Sequence, residues 1–153
     1  MENVWGYPRP PRLERCHKEI IIEFAKTKIA RTHEAYRVLE TSHPPVYYLP
    51  PSAFLEGVLR PASDSSFCEW KGRARYWDIV ANGRTAPRAG WSYPDLTPAF
   101  ADIQDYVAIY AAAMDACYVD GERVTPQPGG FYGGWITKDL VGPFKGEPGS
   151  AGW

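Results

Sequence analysis

Arg73-Ala74-Arg75-Tyr76-Trp77-Asp78-Ile79-Val80-Ala81-Asn82-Gly83-Arg84-Thr85-Ala86-Pro87-Arg88-Ala89 is the stretch on which the fold turns. Residues 73–81 form a run rich in aromatic and β-branched side chains, and Asn82-Gly83 then supplies the positive φ angles of a type I′ turn. Two-residue turns of that type match the twist of paired antiparallel strands, so residues 84–89 are expected to return alongside residues 73–81 as a β-hairpin. Cys117-Tyr118-Val119, Asp120-Gly121 and Glu122-Arg123-Val124 repeat the same pattern.

Working outward, Glu19-Ile20-Ile21-Ile22-Glu23-Phe24-Ala25 suits a buried strand, with Lys28-Ile29-Ala30-Arg31 returning beside it. Residues 34–40 carry Ala35, Val38 and Leu39 at helical spacing, but Pro44 and Pro45 end any helix near Ser42. That segment reads as a short helix or an irregular extended piece. Val46-Tyr47-Tyr48-Leu49 is a strand between two Pro-Pro pairs, Ser52 is placed to cap a turn of helix through Glu56, residues 98–103 suit a short helix, and residues 106–110 another strand. The sum is a mainly β, compact single domain of antiparallel strands with one or two short helices. Residues 17–125 form the β domain. Residues 1–16 are an extended arm, because its prolines bar a helix over residues 4–12, and it docks through Trp5 and Tyr7. Residues 126–153 are rich in Gly and Pro yet hold Phe131, Tyr132, Trp135, Phe144 and Trp153, too aromatic for a disordered linker, and are expected to wrap along the domain.

With 153 residues, 44% of them hydrophobic, one core is the economical reading. A formal net charge of −1 with both signs interspersed suggests neither a nucleic-acid surface nor a polybasic membrane patch. The longest apolar run, Ile20-Ile21-Ile22, is far short of the roughly 18 to 20 residues a span requires, and the start of the chain lacks a secretory pattern, so a cytoplasmic protein without membrane contact is expected. Cys16, Cys68 and Cys117 are odd in number and widely spaced, which argues against a disulfide framework or a paired-cysteine zinc site. The expected partner is a small organic molecule, with no cofactor, no metal and no nucleic acid, bound to a monomer or homodimer.

Residues 68–93 hold the densest candidate site. Cys68, Trp70, Lys71, Tyr76, Trp77, Trp91 and Tyr93 crowd into two strands, and alternation puts Trp91 and Tyr93 on one face, and Trp70, Gly72, Ala74 and Tyr76 on one face if the strand begins at Trp70. Small residues between large rings leave a hollow for a flat or apolar ligand. Simple core packing is the plain alternative for any one of these rings. Glu40, Thr41, Ser42, His43 and the Tyr47-Tyr48 strand form a second constellation, in which Glu40 or His43 serves as general acid or base and a tyrosine hydroxyl as donor. Glu40 is the leading candidate, with Lys71 and Tyr48 beside it as catalytic groups. His43, Tyr47, Cys68, Trp70, Tyr76, Trp77, Trp91 and Tyr93 are the candidate ligand-binding set, and Glu40 with the Tyr47-Tyr48 strand is expected to form the opposite wall. A nucleophilic Cys68 needs Lys71 nearby to lower its pKa. The glycines at 129, 130, 133 and 134 lack the spacing and Lys-Ser/Thr of a phosphate loop and read as places where backbone passes close to aromatic rings.

Residues 39–48, Cys68-Glu69-Trp70-Lys71-Gly72 with Tyr76-Trp77, Trp91-Ser92-Tyr93-Pro94 and Tyr106-Val107-Ala108 resemble, in order, the motifs of the domain of unknown function 427 family. The resemblance spans residues 17–124 and implies a β-tent type of fold, whose better-known relatives include zinc-stapled ligand binders. The cysteine pairs that hold their zinc have no counterpart here. Many members have Pro where this chain has Glu69, which adds a carboxylate near the pocket. A nucleotidyltransferase label attached to the family asks for an acidic metal-binding pair at a spacing this chain lacks. Two functions are therefore expected: an enzyme doing cofactor-independent acid/base chemistry, such as isomerisation, dehydration, cyclisation or hydrolysis, or a non-catalytic metabolite- or nucleoside-binding module.

Overall fold

The computed structural model describes residues 1–68 and 72–153; of residues 63–68 and 72 it describes the backbone. Asn82 and Gly83 adopt φ of 48° and 75°, and the hairpin they close pairs Val80 with Thr85 and Ala81 with Arg84. Its strands, Gly72–Ala81 and Arg84–Ser92, are the middle of a four-stranded antiparallel sheet flanked by Leu59–Cys68 and Ala108–Ile109. The register shifts between Trp77↔Gly90 and Ile79↔Ala86, so Pro87 and Arg88 bulge outward. Arg88 takes a φ of 52°, a left-handed conformation costly to a side chain with a Cβ, and its N–H donates to Asp78 Oδ1 at 2.8 Å.

A second four-stranded sheet runs Glu122–Arg123, Ala116–Val119, Ile20–Phe24, Thr27–Thr32, every neighbour antiparallel. Both of its hairpins close as the sequence suggests, at Ala25-Lys26 and at Asp120-Gly121, all four residues having positive φ. Ile20, Ile22 and Phe24 alternate inward and are buried. They join Ile29, Leu49, Ile79, Ile109 and Trp135 in the larger hydrophobic cluster. Each such buried side chain is worth about 1.5–3 kcal/mol of transfer free energy, so this cluster is the main source of stability.

The third sheet has three strands, Arg12–Cys16, Ala35–Leu39 and Val46–Tyr48. Two expectations are sharpened by it. Residues 35–39 are strand, not helix, because pairing on both sides, Leu13↔Val38↔Val46 among others, outweighs a weak helical spacing. Residues 12–16, the end of the expected extended arm, are an integral strand paired with residues 35–39. Within the arm, Val4–Gly6 forms one 3₁₀ turn where extended chain was expected: the prolines begin only at position 8, and Asn3 Oδ1 caps the Trp5 N–H at 2.9 Å. The short helices expected near 52 and at 98–103 are 3₁₀ segments, Pro51–Ala53 and Pro98–Ile103. No helix among the described residues is long and apolar enough to cross a membrane.

The tail is tied down at several points. Trp135–Ile136 pairs with Thr125–Pro126, and Leu140–Val141 runs parallel to Glu2–Asn3. Trp135, 1% exposed, stacks on Tyr47 with centroids 5.1 Å apart and donates from Nε1 to Ile109 O at 3.1 Å. The arm meets the tail where Trp5 donates to Pro143 O at 2.8 Å and packs edge-on against Trp153.

Candidate functional site

A cavity of about 420 Å³ opens where the central sheet, the three-stranded sheet and the tail converge. The central sheet supplies one wall. Tyr76 and Trp91 are cross-strand partners and so point to the same side, and Tyr93 and Ala74 follow at alternate positions. Ala74 is the small residue between the rings. Facing them, Val38, Val46 and Tyr48 come from the three-stranded sheet.

Glu40 and His43 enter from the turn that leaves this sheet. The turn is shaped by the His43 N–H donating to Glu40 O at 3.0 Å and by Ser42 at φ 71°. Arm and tail grip it from both sides: the Ser42 N–H donates to Val4 O at 3.1 Å, and the Lys145 N–H to Ser42 O at 2.7 Å. Ser42 Oγ is buried and, among the described residues, is the side-chain polar atom left without a hydrogen bond. With the turn so fixed, His43 Nε2 lies 3.8 Å from Glu40 Oε2, and Arg9 NH2 approaches the same oxygen at 3.6 Å. Both separations exceed hydrogen-bond length, so the groups act on one another through space.

The aromatic wall is ordered by its own polar handles. Trp91 Nε1 donates to the Tyr48 hydroxyl at 3.2 Å, the two rings lying edge to face. Tyr110 packs against Trp91 at 4.5 Å between centroids, and its hydroxyl donates to Phe131 O at 3.3 Å. Burial raises the Tyr110 pKa, which keeps that hydroxyl a donor at neutral pH. The tail crosses the indole of Trp91 at Gly133, where a Cβ would stand 2.1 Å from Cη2, so glycine alone lets the backbone lie there. Tyr132 meets His43 edge to face at 4.9 Å, and Gln127, 3% exposed, reaches His43 Nδ1 with its Nε2 at 3.1 Å. Lys145 lines the cavity with its Nζ donating to Ala151 O and Trp153 O, both at 2.9 Å. Beyond residues 130–133 a second cavity of about 490 Å³ shares Tyr76 and Tyr110 with the first, and there the Arg88 guanidinium lies 4.6 Å from the Tyr76 ring centroid.

Of the residues singled out in the sequence, Glu40, His43, Tyr48, Tyr76, Trp91 and Tyr93 line this cavity. Tyr47 and Trp77 do not. Tyr47 alternates to the opposite face of its strand, stacks on Trp135 and is held protonated by burial. Trp77 takes the face of the central strand that carries Ile79, packs against the larger core and donates to Ser92 Oγ at 2.8 Å. Trp70, Lys71 and Glu69 lie outside the described residues, as does the side chain of Cys68. Arg9, Tyr110, Gln127, Tyr132, Lys145 and Trp153 were not anticipated. The aromatic content of the tail hinted at the two rings among its residues; no local pattern marks Gln127 or Lys145.

The model of the family described as Domain of unknown function (DUF427) matches residues 12–120 of this chain. No curated protein matches it.

Proposed function

The chain belongs to the domain of unknown function 427 family, and from that premise we propose that the cavity binds a small, flat organic molecule and acts on it by cofactor-independent acid/base chemistry. The observation that carries this reading is the meeting of a carboxylate and an imidazole, Glu40 and His43, with the aromatic wall of Tyr48, Tyr76, Trp91 and Tyr93 around one cavity. Its volume is in the range of small-molecule sites, and rings with a few convergent polar groups are the usual lining of such sites. Glu40 lines the cavity, where its carboxylate is within reach of a proton on a ligand seated against the rings. Small antiparallel sheets around a cleft, together with the family resemblance, also support a β-tent type of architecture.

The test is a metabolite library screened by intrinsic tryptophan fluorescence, with each binder recovered and identified by mass spectrometry. Glu40→Gln is expected to keep binding and to lower turnover by about 100-fold or more. Binders returned unchanged by the unmodified protein would instead make it a binding module, and a screen without binders would overturn the reading.

A further inference from the structure

Gln127 makes three side-chain contacts whose polarities leave its amide no choice of orientation. Its Oε1 accepts the Gly134 N–H at 3.0 Å, and its Nε2 donates to the Lys145 carbonyl at 2.9 Å. Turning the amide over would set oxygen against oxygen and N–H against N–H, so the backbone fixes which end is the donor. The Nε2 so placed is 3.1 Å from His43 Nδ1. A nitrogen facing an amide NH₂ must accept, and a neutral imidazole that accepts at Nδ1 carries its proton on Nε2. Nε2 is the nitrogen turned toward Glu40 Oε2, 3.8 Å away.

We propose that Gln127 is a positioning residue that holds His43 as the neutral Nε2–H tautomer, so that the site takes a ligand whose carbonyl oxygen accepts from His43 while Glu40 receives a proton. This rests on the reading of the cavity as a ligand site. In the step so assigned, a C–H bond next to the carbonyl breaks and its proton moves to a Glu40 oxygen. The C–H electron pair becomes a carbon–carbon double bond, and the carbonyl oxygen becomes an enolate oxygen that keeps the hydrogen bond from Nε2–H. In a ligand with a carbon–carbon double bond conjugated to the enolate so formed, return of the proton to the far carbon of that system gives the isomer with its double bond shifted, with no oxidant or reductant consumed. A neutral imidazole suits this role, because its N–H stabilises the developing oxyanion without surrendering its proton. Gln127 lies beyond the matched residues 12–120, so in this member the tail sets the chemistry of a residue inside the family domain.

The experiment is long-range nitrogen-15 to proton correlation on the full chain labelled at its histidine rings, at mildly alkaline pH, with the His43 signals assigned by His43→Gln. The expected result is Nδ1 at the unprotonated position and Nε2 at the protonated one, turning to a tautomer mixture in Gln127→Met and to Nδ1 protonation in Gln127→Glu. A Nδ1–H tautomer in the unmodified protein, or an unchanged tautomer in a natively folded Gln127→Met, overturns the proposal; that readout needs no ligand and no activity. Fluorescence titration with acetophenone and its carbonyl-free counterpart ethylbenzene then tests the ligand class. Acetophenone is expected to bind about fivefold tighter or more, an advantage lost in Gln127→Met. Equal affinities, or binding of neither, overturn the carbonyl assignment while leaving the tautomer standing, whereas the broader cavity reading fails only if no member of the metabolite library binds.

Discussion

Gly133 shows how single residues set this site. Gly133→Ala drives a methyl into Trp91, an indole 7% exposed and tied to Tyr48, so the tail or the ring must move. The expected cost is about 1–3 kcal/mol in chemical denaturation, together with a shift of the tryptophan emission. Cys117 is 1% exposed, and burial pushes its thiol up to about 12. It should therefore resist alkylation at neutral pH in the native protein and react on unfolding, as read by site-resolved mass spectrometry; rapid native-state labelling would contradict the packing described. At this scale the sequence was only half legible. Alternation says that Tyr47 and Tyr48 point in opposite directions, but which of the two meets the cavity depends on what covers each face, and Trp135, 88 positions away from Tyr47 along the chain, covers the former. Gln127 was illegible because its partner His43 is 84 positions distant.

Elements declare themselves where local chemistry and pairing agree. Asn82-Gly83 is such a case: Gly83 at φ 75° and the Asn82 side chain donating to Ala25 O at 2.8 Å both favour the turn. Gly83→Ala is expected to cost about 1 kcal/mol, measured by thermal or chemical unfolding, and no loss would show that the turn is not held as described. The Ala35–Leu39 strand is the opposite case, since its helix-like spacing carries less weight than two flanking partners that lie outside the window a sequence reader sees. Docking of the arm depends on charge. Burial alone would raise the Glu2 pKa, but hydrogen bonds from Tyr7 and Arg37 outweigh it and hold the carboxyl below its ordinary value near 4.5. Asp139, beside the strand that pairs with Glu2–Asn3, is held low chiefly by the Thr137 hydroxyl. Depressed carboxyl pKa values give stability that is full above the unfolded value and lost as pH falls through the folded one. Protection against hydrogen exchange, relative to the unstructured rate at each pH, should thus be high over residues 2–7 and 139–141 at neutral pH and be lost there first in acid, ahead of the central sheet; simultaneous loss in both would contradict it.

On the scale of the whole molecule, the matched residues 12–120 supply two walls of the cavity and the tail supplies the third. Trp135 is the anchor of that third wall, and Trp135→Ala is expected to cost about 3–5 kcal/mol and to release the segment that carries Tyr132 and Gly133. The mainly β fold and the hairpins that turn at residues 25–26, 82–83 and 120–121 could be read from turn residues and strand composition, because those signals are local. The convergence of central sheet, three-stranded sheet, arm and tail could not, because it is written in pairings such as Glu2↔Leu140 and contacts such as Trp5 with Trp153 that join distant parts of the chain. The central claim is that this convergence makes a ligand site. Its most direct test follows the indole N–H resonances of the six tryptophans during titration with the strongest binder from a metabolite library. A ligand in the cavity should shift Trp91, which lines it, and leave Trp135, packed under Tyr47, in place. Binding that moves Trp135 and spares Trp91, or no binding at all, would contradict the account.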